Sequence, residues 1–341
     1  MAVCISDFSC NFAANFSALQ GRRKRMFRMY LFHRMEEKPK KIALFYYTQT
    51  GQALQIAEKI CGPLEEAGCV VVRKPVMPEE PFPFPWSSMG FYQAFPESRL
   101  GIPCPLKPID LSDVMDADLV LIAGQSWYLS WSIPLHAFFQ SEDIRNYLKG
   151  RNIVVCMGCR NMWVNTQLKT REYIREAGGN YVGFISLQDK APNLVSVITV
   201  IRWLFYNKKK ATRLLPAAGV APEDIENATV YGRIIGEAME RNDFTGMQEK
   251  LMEKNAVTFL PTVYFVEKNG SKMWGGWARY VLKKGAYNDP KREPRLHLFS
   301  VFLFFVLYVV SPFGMLFFYL TYPFRRGSFR KAKQEMCYVL N

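Results

Sequence analysis

The feature that most constrains this fold is a short apolar run that stops at a hydroxyl-rich turn. Residues 42–47 are apolar, the motif TQTGQ follows at 48–52, and a helical pattern of apolar residues begins at Ala53. A strand, a turn and a helix in this order gather backbone N–H groups and two hydroxyls around one point, where a phosphate can bind. The alternative is an ordinary strand-turn-helix unit with a threonine cap.

The composition of this turn distinguishes between phosphate ligands. It contains no lysine and no GxxxxGK motif, so a nucleoside triphosphate is not the expected ligand. Glycine lets the backbone approach a ligand closely, and a set of neutral donors suits the phosphate of flavin mononucleotide (FMN). We expect five residues to hold that phosphate: Thr48, Gln49, Thr50, Gly51 and Gln52.

Strand and helix patterns alternate through residues 41–190. Apolar runs predict strands at 41–47, 69–73, 118–123, 152–157 and 181–187, with helices at 53–67, 134–140 and 163–177. Short apolar strands separated by helices are typical of a parallel sheet covered on both faces. The sequence therefore predicts an α/β fold with a doubly wound, five-stranded parallel sheet. Ligands of such sheets bind beyond the carboxyl ends of the strands.

Two further loops follow strands at that same edge. One contains Ser126, Trp127 and Tyr128, and the other contains Gly158, Cys159, Arg160 and Asn161. A planar tricyclic ring would stack against the aromatic residues, and its polar rim would meet the loop donors. A Trp-Tyr pair in a loop also commonly serves only as a lid on the core.

The three loops resemble the phosphate loop and the two ring-flanking loops of flavodoxin-like proteins, and residues 41–190 cover that whole domain. The turn departs from the commoner pattern, because Gln52 stands where a threonine is usual. The resemblance implies that FMN is the cofactor and that Trp127 and Tyr128 flank its ring. Arg160 would then stabilise negative charge on the reduced ring, and Asn161 would bond to the ring carbonyls.

The residues near these loops leave the catalytic base open. Tyr128, His136 and Cys159 are close to them in the chain, and Tyr128, His136 and Arg160 are the expected catalytic residues. A histidine in an early helix turn is, however, more often a packing residue. The CxxC motif at 156–159 ends a strand instead of opening a helix, which disfavours disulfide chemistry. The three histidines are widely spaced, so no metal site is expected.

A second resemblance spans most of residues 41–341. The motifs PFPFPW (81–86), FPES (95–98), LGIPC (100–104) and CRNMW (159–163), with the C-terminal apolar segment, resemble the dialkylresorcinol condensing enzyme family. The resemblance implies an FMN-dependent oxidoreductase, a cyclase or aromatase in dialkylresorcinol-type lipid biosynthesis, acting on an apolar lipid-like substrate beside a ketosynthase. The alternative is a flavin-free scaffold that recruits a ketosynthase or an acidic acyl carrier protein to the membrane.

The charge of +14 is concentrated at the two ends of the chain. Residues 1–40 carry +5, residues 41–190 carry −1 and residues 191–341 carry +10. Such flanks suit nucleic acid or an anionic membrane surface. An uncharged apolar segment at 298–324 favours the membrane, so nucleic acid is not an expected partner. We expect residues 1–40 to be a basic, disordered arm.

Two other segments are rich in aromatic or aliphatic residues. An insertion at 75–117 interleaves prolines with aromatic residues, and it is either a lid over an apolar substrate site or a surface loop on the sheet edge. Residues 191–207 are apolar and precede three lysines, which fits an interfacial helix or a buried one. We expect residues 191–295 to form a mainly helical extension.

The segment 298–324 is long enough for one membrane crossing. Basic residues flank both of its ends, and Pro312-Phe313-Gly314 lies near its middle. These features predict a membrane hairpin and basic tail at 296–341, with both ends on the cytoplasmic side. A kinked single span is the alternative. Either arrangement would anchor the protein at the cytoplasmic face of the inner or plasma membrane.

Overall fold

The computed structural model describes residues 38–339, and the predicted arm at 1–40 lies outside them apart from its last three residues. A compact unit begins at Lys41 and includes every described residue after it. Within this described part, the strands are β1 Lys41–Tyr46, β2 Val70–Pro75, β3 Leu119–Trp127, β4 Ser130–Trp131, β5 Asn152–Cys159 and β6 Asn180–Gln188.

The sheet has the strand order β2-β1-β3-β5-β6, and these five strands are parallel. The two-residue strand β4 pairs with β3 in the antiparallel direction. Without β4 the order is 2-1-3-4-5, the order of flavodoxin-like sheets, in which the ligand binds where the order reverses, between the first and third strands. The predicted fold class is confirmed.

Helices alternate with the strands and then continue to the C-terminus. Those before the last strand are α1 Gln52–Glu66, α2 Ser88–Gln93, α3 Phe95–Leu100, α4 Ile133–Gln140, α5 Glu142–Leu148 and α6 Val164–Ala177. Those after it are α7 Asn193–Tyr206, α8 Pro222–Glu226, α9 Thr229–Arg241, α10 Met247–Glu253, α11 Pro261–Leu282, α12 Glu293–Phe305 and α13 Ser311–Cys337.

Alternate residues of each strand enter cores on opposite faces of the sheet, as the two-residue period of a strand requires. On one face, Phe45 and Val155 pack against α4, α5 and α6. On the other face, Leu44 and Val154 pack against α1, α9 and α10. The helices at 222–253, within the predicted helical extension, therefore pack into the core on this face of the sheet.

One glycine lets α9 lie close to α1. A Cβ atom added at Gly232 would stand 2.0 Å from the carbonyl oxygen of Ile60, so only glycine allows this approach. The two helices thus share the burial of one face of the sheet. An amphipathic helix that finds such a partner contributes mainly through apolar burial.

The long insertion between β2 and β3 packs against the domain. Its helices α2 and α3 contribute Tyr92 and Phe95 to a cluster with Phe299 of α12, and the rings of Phe95 and Phe299 stack with centroids 3.9 Å apart. Trp86, also in the insertion, is buried against Trp127. The insertion therefore joins the end of β3 to the start of the apolar C-terminal helices, as a lid would.

The predicted hairpin at 296–341 is absent, because the helix is continuous. One helix among the described residues, Pro290–Cys337, is long and apolar enough to cross a membrane by length and composition. Helix α12 passes into α13 through a π-helical turn, Val306–Val310. This wider turn ends two residues before Pro312, and such turns accommodate a residue that lacks an N–H and crowds the preceding turn.

The long helix lies along the domain and contacts it at several points. Near its start Phe299 stacks on Phe95, near its middle Phe318 packs against Phe265 of α11, and near its end Met336 enters the core beside α6. Its other face carries apolar side chains that are more than half exposed, among them Phe313, Leu316 and Leu320. Both ends therefore lie on the same domain.

Candidate functional site

The turn at 48–52 leaves hydrogen-bond donors without partners. The hydroxyl oxygen of Thr48 is buried and has no hydrogen-bond partner. Gly51 adopts a left-handed conformation (φ 81°), and no side chain caps helix α1, which also has no acidic residue in its first turn. The first N–H groups of a helix have no partner within the helix. The turn therefore offers an anion a hydroxyl and several amide groups.

The two glutamines of this turn are engaged with protein groups. Gln52 donates from Nε2 to the carbonyl of Val220 (3.2 Å) and accepts from the Val220 N–H at Oε1 (3.1 Å). Gln49 donates to the Pro83 carbonyl (2.8 Å) and accepts from the Trp86 indole N–H (3.1 Å). Gln52 can therefore offer a ligand only its backbone groups. The Gln49 side chain connects the turn to the insertion.

The end of β3 forms a tight hairpin with β4. Trp127 pairs with Ser130, so Tyr128 and Leu129 are the two turn residues, and both have positive φ (49° and 63°). Such turns normally use asparagine or glycine, and side chains in this conformation are strained. Here both side chains line cavities. The hairpin therefore holds two bulky residues against the space where a ligand of this edge would lie.

A cavity of about 220 Å³ lies where the three loops meet, and we call it the loop cavity. Gln49 comes from the first loop, Trp127 and Tyr128 from the second, and Arg160 and Met162 from the third. Helix α7 and the insertion complete its walls. The structure thus brings together residues from each loop that the sequence placed at this edge.

The side chains of the second loop are held by neighbouring groups. The Ser126 hydroxyl donates to the Ser130 carbonyl (3.0 Å) and lies 2.9 Å from the Thr166 hydroxyl. The Tyr128 hydroxyl donates to the Phe91 carbonyl (2.5 Å). Burial raises the pKa of Tyr128, so it stays protonated at neutral pH. Tyr128 therefore offers an apolar ring face, not a base.

In the third loop, Arg160 is the charged residue that faces the cavity. Its Nη1 donates to the carbonyl (2.9 Å) and side-chain oxygen (2.6 Å) of Asn193 and to the Ser196 hydroxyl (3.0 Å). Burial lowers the pKa of Arg160, while Asp189 opposes this change. The guanidinium is therefore a half-buried positive charge with neutral hydrogen-bond partners, which would attract negative charge on a bound ligand.

The other residues of this loop have different surroundings. Asn161 donates to Asn193 Oδ1 (2.8 Å), and its own oxygen Oδ1 is buried without a partner. Cys159 is buried 3.6 Å from the Ser186 hydroxyl, and burial raises the pKa of its thiol to about 12. Gly158 faces Ile56, which a Cβ atom there would approach to 3.1 Å. Cys159 is therefore a protonated thiol and Gly158 a packing position.

His136 lies apart from the loop cavity. Its Nε2 is 2.9 Å from the Ser98 carbonyl and 3.0 Å from the Ser130 hydroxyl, and its Nδ1 is 2.8 Å from the Tyr173 hydroxyl. Burial lowers the pKa of His136 to about 3, so the ring is neutral at pH 7. The structure does not bring His136 together with Tyr128 and Arg160.

A second cavity of about 220 Å³ adjoins the first, and we call it the apolar cavity. It lies between α2, α3, α7, α11 and the long C-terminal helix. The two cavities share a wall: Phe91, Tyr128, Leu129, Arg160, Met162, Val200 and Leu204. Its lining is almost entirely apolar, so it suits a hydrocarbon-like ligand next to whatever the loop cavity holds.

Glu267 of α11 lines the apolar cavity, and sequence reasoning missed it. Its carboxylate accepts from the N–H groups of Asn165 (2.7 Å) and Val164 (3.2 Å) at the start of α6. Burial raises the pKa of Glu267 to about 7 in spite of these bonds. The sequence around Glu267 contains no motif that would identify it as a site residue, because the residues that bury it lie on other helices. A carboxyl group with this pKa in a cavity can exchange a proton near neutral pH.

The sequence matches no protein-family model and no curated protein. Solved structures with a similar arrangement include an archaeal flavodoxin, which is 13% identical with a TM-score of 0.35, the match covering 59% of this chain and 99% of that one. A Lactobacillus acidophilus flavoprotein, solved in complex with FMN, is 18% identical with a TM-score of 0.36, covering 44% and 93%. Rubredoxin oxygen:oxidoreductase from Desulfovibrio gigas is 11% identical with a TM-score of 0.36, covering 60% and 38%.

Similarity at this level says nothing about ligand or reaction. The strand order and the position of the loop cavity are observed directly in this protein. They describe a flavodoxin-like sheet with a cavity at the edge where such sheets bind ligands. The chain is an α/β protein of flavodoxin-like fold with a mostly helical C-terminal segment.

Proposed function

We propose that this protein is a membrane-associated, FMN-dependent oxidoreductase that acts on an apolar, lipid-like substrate. The observation that carries the proposal is the shared wall between the two cavities. One cavity lies at the edge where flavodoxin-like sheets bind ligands, and the other is apolar. A ring in the first and a hydrocarbon-like molecule in the second would be in contact across that wall.

The residues of the first turn fit the phosphate of FMN. The unpartnered hydroxyl of Thr48 and the uncapped start of α1 supply neutral donors, and a Cβ-free Gly51 leaves the turn open. A buried polar atom without a partner costs about 1–3 kcal/mol. A phosphate that accepts from the Thr48 hydroxyl would remove that cost.

The residues around the loop cavity fit the ring system. Trp127 and Tyr128 would lie against its faces, and the Arg160 guanidinium would be close to its polar rim. FMN, when bound, would accept two electrons as a hydride from a substrate. The chain's part is to hold the ring, exclude water and place positive charge where negative charge develops.

Glu267 is our choice for the proton acceptor. It is the carboxylate of the apolar cavity, and the cavity's remaining charged lining residue is Arg160. Its Oε2 makes one longer bond, 3.2 Å to the Val164 N–H, so that oxygen retains capacity for a proton. Removal of two hydrogens from a substrate leaves one proton for a base, and Oε2 of Glu267 would take it.

Only the sequence resemblance indicates the chemical class of the substrate. Members of the dialkylresorcinol condensing enzyme family suggest a dialkylcyclohexanedione-type ring, which would lose a hydride and a proton to become aromatic. The apolar cavity and the carboxyl group of Glu267 are compatible with such a molecule. Partners of the same pathway, a ketosynthase or an acyl carrier protein, would then meet the protein at the membrane.

Membrane association follows from the long helix. Its exposed apolar face would insert into the cytoplasmic leaflet of the inner or plasma membrane, and its basic flanks would contact anionic headgroups. Because both of its ends pack on the domain, we favour a helix that lies in one leaflet over one that crosses both.

Flavin content tests the proposal directly. The full chain, purified in a neutral detergent, should carry FMN close to one per protein or take it up when FMN is added. Thr50→Glu places a carboxylate in the turn and should expel FMN without unfolding the domain, whereas Thr245→Glu, on an exposed turn, should retain it. A wild-type protein that stays colourless with added FMN would leave the flavin-free scaffold as the better explanation.

A further inference from the structure

A third cavity, of about 570 Å³, carries an excess of positive charge, and we call it the basic cleft. It lies between α3, α6 and α11 and shares no lining residue with the other two cavities. Four cationic side chains line it and one carboxylate does: Arg99, Lys169, Lys272, Arg279 and Glu172.

Most of that positive charge has no anionic partner. Lys169 pairs with Glu172 at 3.0 Å. Arg99 donates from Nη2 only to the carbonyl (2.8 Å) and hydroxyl (2.5 Å) of Ser271. Within residues 38–339, neither Lys272 nor Arg279 has a carboxylate within ion-pair distance. Among the described residues, Arg99, Lys272 and Arg279 therefore make no ion pair, although Glu267 acts on Arg99 from a greater distance.

Arg99 lies in surroundings that disfavour its charge. Its Nε is buried and makes no hydrogen bond. Burial lowers the pKa of Arg99, and the neighbouring Arg279 lowers it further, while Glu267 opposes both. Repulsion between two arginines in a partly buried cleft destabilises the folded state, and an anion bound between them would remove that cost.

The Arg279 side chain folds back along helix α11 and lines the cleft. A Cβ atom added at Gly275 would be 3.5 Å from Nη1 of Arg279, so the guanidinium lies back over the glycine, one turn earlier. Asn165 and Ser271 also line the cleft, but their donors are engaged: the Ser271 hydroxyl donates to Asn165 Oδ1 (3.1 Å), and Asn165 Nδ2 donates to Glu267 (2.9 Å). The groups left for a ligand are two guanidiniums and an ammonium, which is the kind of set that recognises phosphate.

We propose that the basic cleft binds a phosphate-bearing ligand, distinct from the flavin. The excess of about three positive charges favours a dianion over a carboxylate. The volume is in the range of small-molecule sites, so the phosphate would carry an organic group. That group can come from a soluble phosphomonoester or from an anionic phospholipid, since the chain also presents an apolar helix to the membrane. The proposal does not depend on the flavin function.

Thermal unfolding of the full chain in a neutral detergent tests it. A ligand that binds only the folded state raises the unfolding temperature. Three probes are compared with sodium chloride at equal ionic strength: inorganic pyrophosphate, glycerol phosphate and dihexanoyl phosphatidic acid. The test variant is Lys272→Gln with Arg279→Gln, and the matched control is Arg233→Gln, which removes an exposed arginine from α9.

We expect the phosphate probes to stabilise wild type and the control above chloride, and the double variant to bind them about tenfold more weakly or worse. Phosphatidic acid acting at much lower concentration than glycerol phosphate would identify a lipid headgroup, and equal potency would identify a soluble ester. Stabilisation no greater than that by chloride, or equal stabilisation of the double variant, would overturn the proposal. Flavin content is measured in parallel, and its loss or retention leaves this result unaffected.

Discussion

Arg292 and Glu97 form a two-point ion pair inside the protein. Nη1 of Arg292 donates to Oε1 of Glu97 at 2.8 Å and Nη2 donates to Oε2 at 2.9 Å, and both side chains are almost fully buried. Nη2 also donates to the carbonyl of Gln93. The pair joins the insertion to the residues that begin the long apolar helix, so it fixes the start of that helix against the domain.

Loss of one partner of this pair should destabilise the protein strongly. We expect Arg292→Met to lower the free energy of unfolding by about 3–5 kcal/mol, because the buried Glu97 carboxyl would lose its ion-pair partner. Adding Glu97→Leu should recover much of that loss. Denaturant unfolding in detergent measures both. Lys59→Gln, which breaks an exposed pair with Glu226, should cost about 1 kcal/mol or less. An equally small effect at Arg292 would contradict the prediction.

Thr48→Val should have opposite effects on stability and on flavin binding. The substitution removes a buried hydroxyl that has no partner, so the flavin-free protein should gain about 1 kcal/mol or more. The same change should weaken FMN binding about tenfold, since a phosphate donor is lost. Flavin fluorescence gives the affinity and thermal unfolding the stability. A change of both in the same direction would argue that Thr48 has only a structural role.

Glu267 should make stability depend on pH between about 4.5 and 7. Its folded-state pKa is raised to about 7 by burial, so the folded protein holds this proton more tightly than the unfolded chain does. Its contribution is therefore complete below the unfolded pKa and is lost as pH rises through 7, a loss of about 3 kcal/mol. Unfolding of Glu267→Gln at pH 5 and pH 8 should show a smaller decrease than wild type. Glu226→Gln, at an exposed position, is the control. An equal change in the free energy of unfolding between pH 5 and pH 8 in wild type and in both variants would refute this assignment.

The exposed stripe of the long helix should determine membrane association. Phe313, Leu316 and Leu320 are 70%, 59% and 67% exposed on one face. Changing all three to glutamate removes about 5–9 kcal/mol of apolar transfer energy and should move the protein toward the soluble fraction. The sheet should remain folded by circular dichroism, since none of the three packs in the core. Leu214→Glu, at an exposed loop residue, should not change the distribution. A triple variant that stays fully with membranes would assign the anchoring to α7.

The strands and the site edge were predictable because both depend on local patterns. Apolar runs located all five parallel strands, and the turn at 48–52 marked the edge. The prediction ended the third strand at residue 123, whereas β3 runs to Trp127. Its last residues are polar or aromatic, and their extended form depends on pairing with β4, which a short sequence window does not contain.

The rest of the candidate site depends on contacts between distant segments. Glu267 accepts bonds from residues about one hundred positions earlier, and the basic cleft unites Arg99, Lys169 and Arg279 from three helices. No spacing rule links such positions. The hairpin expected around Pro312 failed for another reason: the proline rule assumes a regular α-helix, and a π-helical turn removes that assumption.

The long helix begins and ends on one globular domain, and this limits the routes by which reactants can reach the protein. In the arrangement that we propose, with the helix lying in one leaflet, the cofactor, the electron acceptor and protons would all reach the protein from one side of the membrane. An apolar reactant would take a different route in that arrangement, because Leu303 and Leu307 of the same helix line the apolar cavity while other apolar side chains of the helix are exposed. A single helix would then lie between the acyl chains of the lipid and the apolar cavity.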